Sequence, residues 1–137
     1  MSEISLDIVT DGITLALRKE FPASFITDKS VKQGLTLPAF LVRHETVTAA
    51  PRSANYWHYS LPTDVIYIPK DHKENFNEIT DRLTRILCVL DLPTGDKIRG
   101  LNMSAHAENG ALHFNVTYSY NGTYMPKEEP MDSLKIM

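Results

Sequence analysis

The residues of this chain able to do chemistry are five histidines, one cysteine and a scatter of carboxylates. Of His44, His58, His72, His106 and His113, only the last two can be placed together from sequence. They flank Asn109-Gly110, a dipeptide that between alternating strands predicts a two-residue type I′ hairpin turn, because that turn needs positive φ at both positions. Counting outward from the turn makes His106 and His113 directly opposed cross-strand neighbours. Two imidazoles can begin a metal site, but zinc needs three or four ligands and a supporting second shell. The nearby Ser104, Glu108 and Asn115 complete such a set poorly, so a polar, interfacial face is the expected reading. His72, within Asp71-His72-Lys73-Glu74, reads as a solvated loop residue. Nucleophilic chemistry has no better basis: there is no Gly-x-Ser-x-Gly, no base for Cys88 and no phosphate-cradling glycine loop. Asp64 and Lys70 form a thin version of the carboxylate–lysine set of a metal-dependent nuclease. No residue is assigned a catalytic, cofactor-binding or metal-binding role, and no cofactor is implied.

Tyr56, Trp57, Tyr59 and Tyr67 could stack on bases, but a single-strand binder also needs flanking basic residues. The formal net charge is −3. These aromatics are expected to pack the core and line an interface, where tyrosine and tryptophan are enriched. Arg52, Tyr56, Trp57, His106, His113 and Asn115 are accordingly the candidate contacts to another subunit or partner.

The elements that must position these residues follow from periodicity. The hairpin register pairs Glu108 with Ala111, Ala107 with Leu112, Ala105 with Phe114, Ser104 with Asn115, Met103 with Val116, Asn102 with Thr117 and Leu101 with Tyr118. One face then collects Leu101, Met103, Ala105, Ala107, Leu112, Phe114, Val116 and Tyr118 as a core face, and the other is polar. Ser5 to Glu20 has helical spacing, with Gly12 costing roughly 1 kcal/mol unless something packs closely there. A short strand at Ser24 to Thr27, a polar turn around Asp28–Ser30 and Gly34, and a strand in Pro38 to Thr48 follow. Thr48 to Asn55 reads as a loop or extended arm, and Pro62 demotes the middle of the Tyr56–Ile68 run to an edge or a bulge. Asn75 with Glu78 has the form of a capping box before a helix whose stripe is Phe76, Ile79, Leu83, Ile86, Leu87 and Leu90. Glu78–Arg82 and Asp81–Arg85 are expected as i,i+4 pairs on its solvated side.

The order α-β-β-β-α-β-β predicts an α+β fold: an antiparallel sheet of about five strands with two helices packed on one face. Residues 1–122 are expected to form one domain and 123–137 a carboxy-terminal arm or tail, either free or docked on a neighbour. With 42 % hydrophobic and 23 % charged residues the composition is that of a soluble protein. The first ten residues have neither a signal-peptide pattern nor the apolar length of a membrane span. Cys88 reads as a buried thiol in an apolar helical pattern.

Several segments resemble the small tail terminator (tail completion) proteins of tailed bacteriophages and phage-tail-like particles. They are the opening helix ending in Phe21-Pro22, Val31-Lys32-Gln33-Gly34-Leu35 leading into Pro38-Ala39-Phe40-Leu41, and Val65-Ile66-Tyr67-Ile68-Pro69-Lys70. The asparagine-capped helix with Asp81-Arg82-Leu83 follows, then Ile98-Arg99-Gly100-Leu101-Asn102-Met103 and Asn109-Gly110-Ala111-Leu112-His113-Phe114-Asn115-Val116-Thr117-Tyr118. The likeness covers roughly residues 5 to 122. It implies an α+β subunit of a six-membered homo-oligomeric ring on the head-proximal end of a tail tube, in the virion and, during assembly, in the host cytoplasm. Its implied partners are the tail tube protein and possible sheath and head–tail connector proteins, with DNA passing through the lumen without specific binding and no membrane involved. A head-completion or connector protein is the neighbouring alternative, and a small metal-dependent nuclease or hydrolase the alternative of another class.

Overall fold

The computed structural model describes residues 4–27, 36–53, 56–71 and 75–123. In chain order these form α1 (Leu6–Glu20), β1 (Phe25–Thr27), β2 (Ala39–His44), β3 (Thr48–Ser53), β4 (Tyr56–Ile68), α2 (Phe76–Leu87), β5 (Val89–Asp91), β6 (Lys97–Glu108) and β7 (Ala111–Thr123). The turn expected around residues 28–34, His72 and all but the first residue of the 123–137 arm lie outside the described residues.

Helix α1 starts where the sequence says it should. The Ser5 hydroxyl accepts the Ile8 N–H at 3.3 Å, Asp7 sits in the first turn, and Arg18 and Lys19 lie in the last, all matched to the helix dipole. A Cβ on Gly12 would lie 2.9 Å from Leu92 Cδ2 and 3.1 Å from the Asp91 carbonyl, so the glycine admits the chain that follows α2. In α2 the Asn75 side chain accepts from the Asn77 N–H at 2.9 Å, while Glu78 turns toward Arg82, 3.9 Å away, and closes no capping box. Arg82 is not a solvated-side residue. Its Nε and Nη2 donate to the Glu20 carboxylate and backbone carbonyl at 2.8 Å each, and its guanidinium lies 4.3 Å over the Phe21 ring. This arginine clamps the end of α1 to α2. The Asp81–Arg85 pair does not form among the described residues.

The fold is α+β, with a sheet of seven strands instead of about five, ordered β1-β2-β4-β7-β6-β5 with β3 also paired to β4. It is mixed: β1 runs parallel to β2 and the remaining pairs are antiparallel. Two strands were not expected. Thr48–Ser53 is no loop but an exposed strand paired with the first part of β4, its six residues carrying no apolar alternation because neither face meets the core. The second helix stops at Leu87, with half-buried Cys88 as its C-cap, and Leu90 belongs to β5, which pairs with Arg99, Ile98 and Lys97. Pro62 lies inside the continuous central strand β4. It falls between the segment paired with β3, which reaches Ser60, and the segment paired with β2, which begins at Thr63. Its carbonyl accepts the Glu45 N–H at 2.9 Å on that side, so the missing proline N–H falls in the gap and no donor to β7 is lost.

Both helices cover one face of the sheet. Val9, Ile13 and Leu17 from α1 and Ile79, Leu83 and Leu87 from α2 join Phe40, Val42, Val65, Leu112, Phe114, Val116 and Tyr118 in one buried cluster. A polar relay crosses the layer: Thr10 Oγ1 lies 2.6 Å from His44 Nε2, and His44 Nδ1 lies 3.0 Å from Thr63 Oγ1.

The hairpin folds at Asn109 (φ 53°) and Gly110 (φ 79°), and the expected pairs hold from Glu108–Ala111 to Ser104–Asn115. Beyond that the register moves. Leu101 pairs with Thr117 and Gly100 with Tyr118, because one extra residue enters β6 at a bulge where Asn102 adopts φ 53°. Leu101 therefore turns to the open face and is 44 % exposed. Ala105 and Ala107 keep the expected side but are exposed, since β5 pairs only with residues 97–99 and the outer half of β6 is the sheet edge.

Candidate functional site

Alternation along β4 sends Trp57, Tyr59, Leu61, Thr63, Val65 and Tyr67 toward the helices and Tyr56, His58, Ser60, Pro62, Asp64 and Ile66 away from them. On that open face the registers build rows across four strands. Arg43, Asp64, Asn115 and Ser104 form one; Leu41, Ile66, His113 and His106 form the next. Asp64 is the hub, only 5 % exposed. Its Oδ2 accepts from His113 Nδ1 at 3.1 Å and lies 3.7 Å from Arg43 Nη2. An ionised carboxylate only accepts, so in this contact the proton sits on His113 Nδ1. The Arg43 side chain is 66 % exposed, so its ion pair with Asp64 is a surface pair worth under about 1 kcal/mol. Asp64 Oδ1 is enclosed and has no partner among the described residues. An unsatisfied buried acceptor of this kind costs roughly 1–3 kcal/mol.

The His106 ring stacks on that of His113 with centroids 5.2 Å apart and 12° between planes, and His106 Nε2 is 3.4 Å from Glu108 Oε1. An Asp–His pair of this geometry orients an imidazole, and in a hydrolase such an imidazole serves a nucleophile. Among the described residues no hydroxyl or thiol hydrogen-bonds His113, and no group of three or more histidine, cysteine or acidic residues could hold a metal ion. Lys70 makes no contact with Asp64 and lies six residues along the chain, about 20 Å in extended geometry. The arrangement suits donors and acceptors offered to a macromolecular partner.

The six residues expected at an interface do not form one patch. His106, His113 and Asn115 share the open face around Asp64, whereas Arg52 and Tyr56 are exposed at the far end of the β3–β4 pair, eight residues along β4 and roughly 26 Å away. Trp57 points to the opposite face from Tyr56; it is half-buried, and its enclosed indole N–H has no partner among the described residues. Beside it Tyr59 stacks on Tyr120, centroids 5.1 Å apart, and burial followed by the neighbouring Tyr59 raises the Tyr120 pKa. His58 Nδ1 meets Asn121 Oδ1 at 2.7 Å. Arg43 was missed by sequence reasoning. The available signal was an arginine ending an apolar strand two elements before an aspartate in another, which becomes a pair only once β2 and β4 are placed side by side.

Comparisons with known proteins bear on the family. A solved structure aligns over 91 % of this chain and 99 % of its own at 11 % identity, with a TM-score of 0.47, a likeness too weak to carry an argument. No curated protein matches the sequence. The family model described as phage tail terminator protein matches residues 8–131, from the first turns of α1 through the whole sheet and past the end of β7. By that match over most of its length, the chain belongs to the phage tail terminator protein family.

Proposed function

We propose that this protein is the subunit of a six-membered ring that caps the head-proximal end of a phage or phage-like tail tube, stops tube polymerisation and offers a joint to the head connector. The observation that carries this reading is the family match over residues 8–131. The surfaces of the subunit suit the task. A closed ring uses a heterologous interface, two different patches on each copy. The open sheet face around Asp64, whose Oδ1 has no partner among the described residues, is one candidate patch. The exposed β3–β4 end with Arg52 and Tyr56 is the other, remote enough from the first to belong to a different contact.

In this reading the tail tube protein meets one rim of the ring and the connector the other, a sheath protein adds a further contact if the tail is contractile, and DNA crosses the lumen. A net charge of −3 fits a passage through which DNA slides without being held. The protein then resides in the virion after assembly in the host cytoplasm. Among the described residues no helix is long and apolar enough to cross a membrane.

Electron microscopy of particles from a producer strain lacking this gene tests the proposal. Overlong, unregulated tubes support it. Tails of normal length that fail to join heads would move the protein to the connector, and normal particles would remove it from tail assembly.

A further inference from the structure

On the helix side of the molecule, away from the open sheet face, α1, the end of α2 and β5 enclose a groove of about 700 Å³. Its floor and walls include Leu15, Ala16, Ile86, Val89, Leu92 and Pro93, with Leu15 and Val89 48 % and 45 % exposed. Arg18, Lys19 and Arg85 rim it and make no salt bridge among the described residues, Lys19 acting on Asp91 only at longer range, whereas both acids of the lining are already engaged, Glu20 by Arg82 and Asp91 by Lys97. The groove is thus apolar inside and cationic at its edge.

One segment of the same chain has the complementary pattern. Residues 128–137 read Glu-Glu-Pro-Met-Asp-Ser-Leu-Lys-Ile-Met, with acids at Glu128, Glu129 and Asp132 and apolar side chains at Met131, Leu134 and Ile136. We propose that the segment Met131–Met137 docks in the α1–α2–β5 groove of its own subunit, its apolar side chains seated between Leu15 and Val89 and its acids facing Arg18, Lys19 and Arg85. Reach supports the pairing. Strand β7 ends beside the start of α1, where a Cβ on Gly122 would lie 3.9 Å from the Ile4 carbonyl. From there α1 runs about 22 Å to its last residue, and the groove begins roughly 9 Å along it, at Gly12. Residues 124–130 contain Pro126 and Pro130, and an extended proline-rich stretch of seven residues spans about 22 Å. That length carries the chain from β7 to the groove and delivers Met131 there.

Disulfide trapping in the full chain, with Cys88→Ser as background, tests the docking. Leu15→Cys with Leu134→Cys places one thiol in the groove, and Leu6→Cys with Leu134→Cys places it at the exposed start of α1, nearer to where β7 ends. The docked segment predicts an intramolecular disulfide forming roughly tenfold faster for the groove pair, through its higher effective concentration. Equal rates, or faster closure on Leu6→Cys, would mean an unanchored tail and overturn the proposal. Disulfides between copies for the groove pair would overturn it in favour of arm exchange with a neighbour. As a second readout, Leu134→Asp with Ile136→Asp should speed amide exchange in residues 12–20 and in β5; unchanged exchange there would count against docking.

Discussion

Replacing Gly100 with alanine should be among the costliest small changes in this protein. A Cβ there would stand 2.6 Å from the Leu87 carbonyl oxygen, 2.8 Å from Val116 Cγ2 and 3.3 Å from Tyr118 Cε1. Val116 can turn aside, but the carbonyl is the end of α2 and yields only if the helix end lifts from β6. Two hydrogen bonds hold that end: the Tyr118 hydroxyl donates to the Leu87 carbonyl at 2.7 Å, and the Gly100 N–H donates to the Cys88 carbonyl at 2.8 Å. Overpacking a filled site costs about 1–3 kcal/mol and each weakened hydrogen bond about 1 kcal/mol. The stiffer unfolded chain of the alanine variant returns about 0.4–1 kcal/mol. The net loss is about 3 kcal/mol, which for a chain of this length lowers Tm by about 10 °C. Urea titrations and thermal melts of Gly100→Ala, with Gly122→Ala as the control whose nearest atom is an ordinary 3.4 Å away, measure it. A double-mutant cycle with Tyr118→Phe sharpens the test. If the helix end has lifted, the hydroxyl bond is already lost, and the double variant should fall short of additivity by about 1 kcal/mol. A Gly100→Ala loss below about 1 kcal/mol, or strict additivity, would refute the reasoning.

The hairpin register makes a second prediction. Phe114→Asp, which places a charge at a side chain only 1 % exposed, should abolish soluble folding, whereas Leu101→Asp and Thr117→Asp on the open face should leave Tm within about 3 °C of the parent. A Leu101→Asp variant that aggregates would contradict the bulge at Asn102. Alkaline unfolding gives a third. Burial, followed by the nearby Cys88, raises the Tyr118 pKa, and burial followed by Tyr59 raises that of Tyr120. Unfolded tyrosines ionise near pH 10, so above that pH the unfolded state has shed protons the folded state keeps, and stability falls as pH rises. Tyr118 alone gives a slope of up to about 1.4 kcal/mol per pH unit, read from urea midpoints between pH 9 and 11. Tyr118→Phe should flatten that slope; an unchanged slope would assign the effect elsewhere.

Much of the fold is legible in local chemistry. The Asn-Gly turn, the asparagine cap of α2 and its apolar stripe from Phe76 to Leu87 each rest on interactions within a few residues, and each stands where the sequence puts it. The errors have a common source. Nothing within β3 marks its exposed Thr-Ala-Ala-Pro-Arg-Ser as a strand, since its order comes from pairing with β4. Leu90 fits a helical stripe as well as it fits β5, and only β6 alongside decides between them. The bulge at Asn102 is a single inserted residue, invisible to alternation counted from the turn.

The candidate site divides in the same way. That His106 opposes His113 follows from the sequence alone, because a two-residue turn sets the register of its own hairpin. That Asp64 lies behind His113 with Arg43 beside it depends on residues 21 and 49 positions apart along the chain, brought together by β2 and β7 flanking β4. Local sequence determined the elements and their faces through short-range hydrogen bonds and periodic burial. Tertiary structure decided which strands are neighbours, and with them which charges meet, because that choice is made by the packing of the whole core.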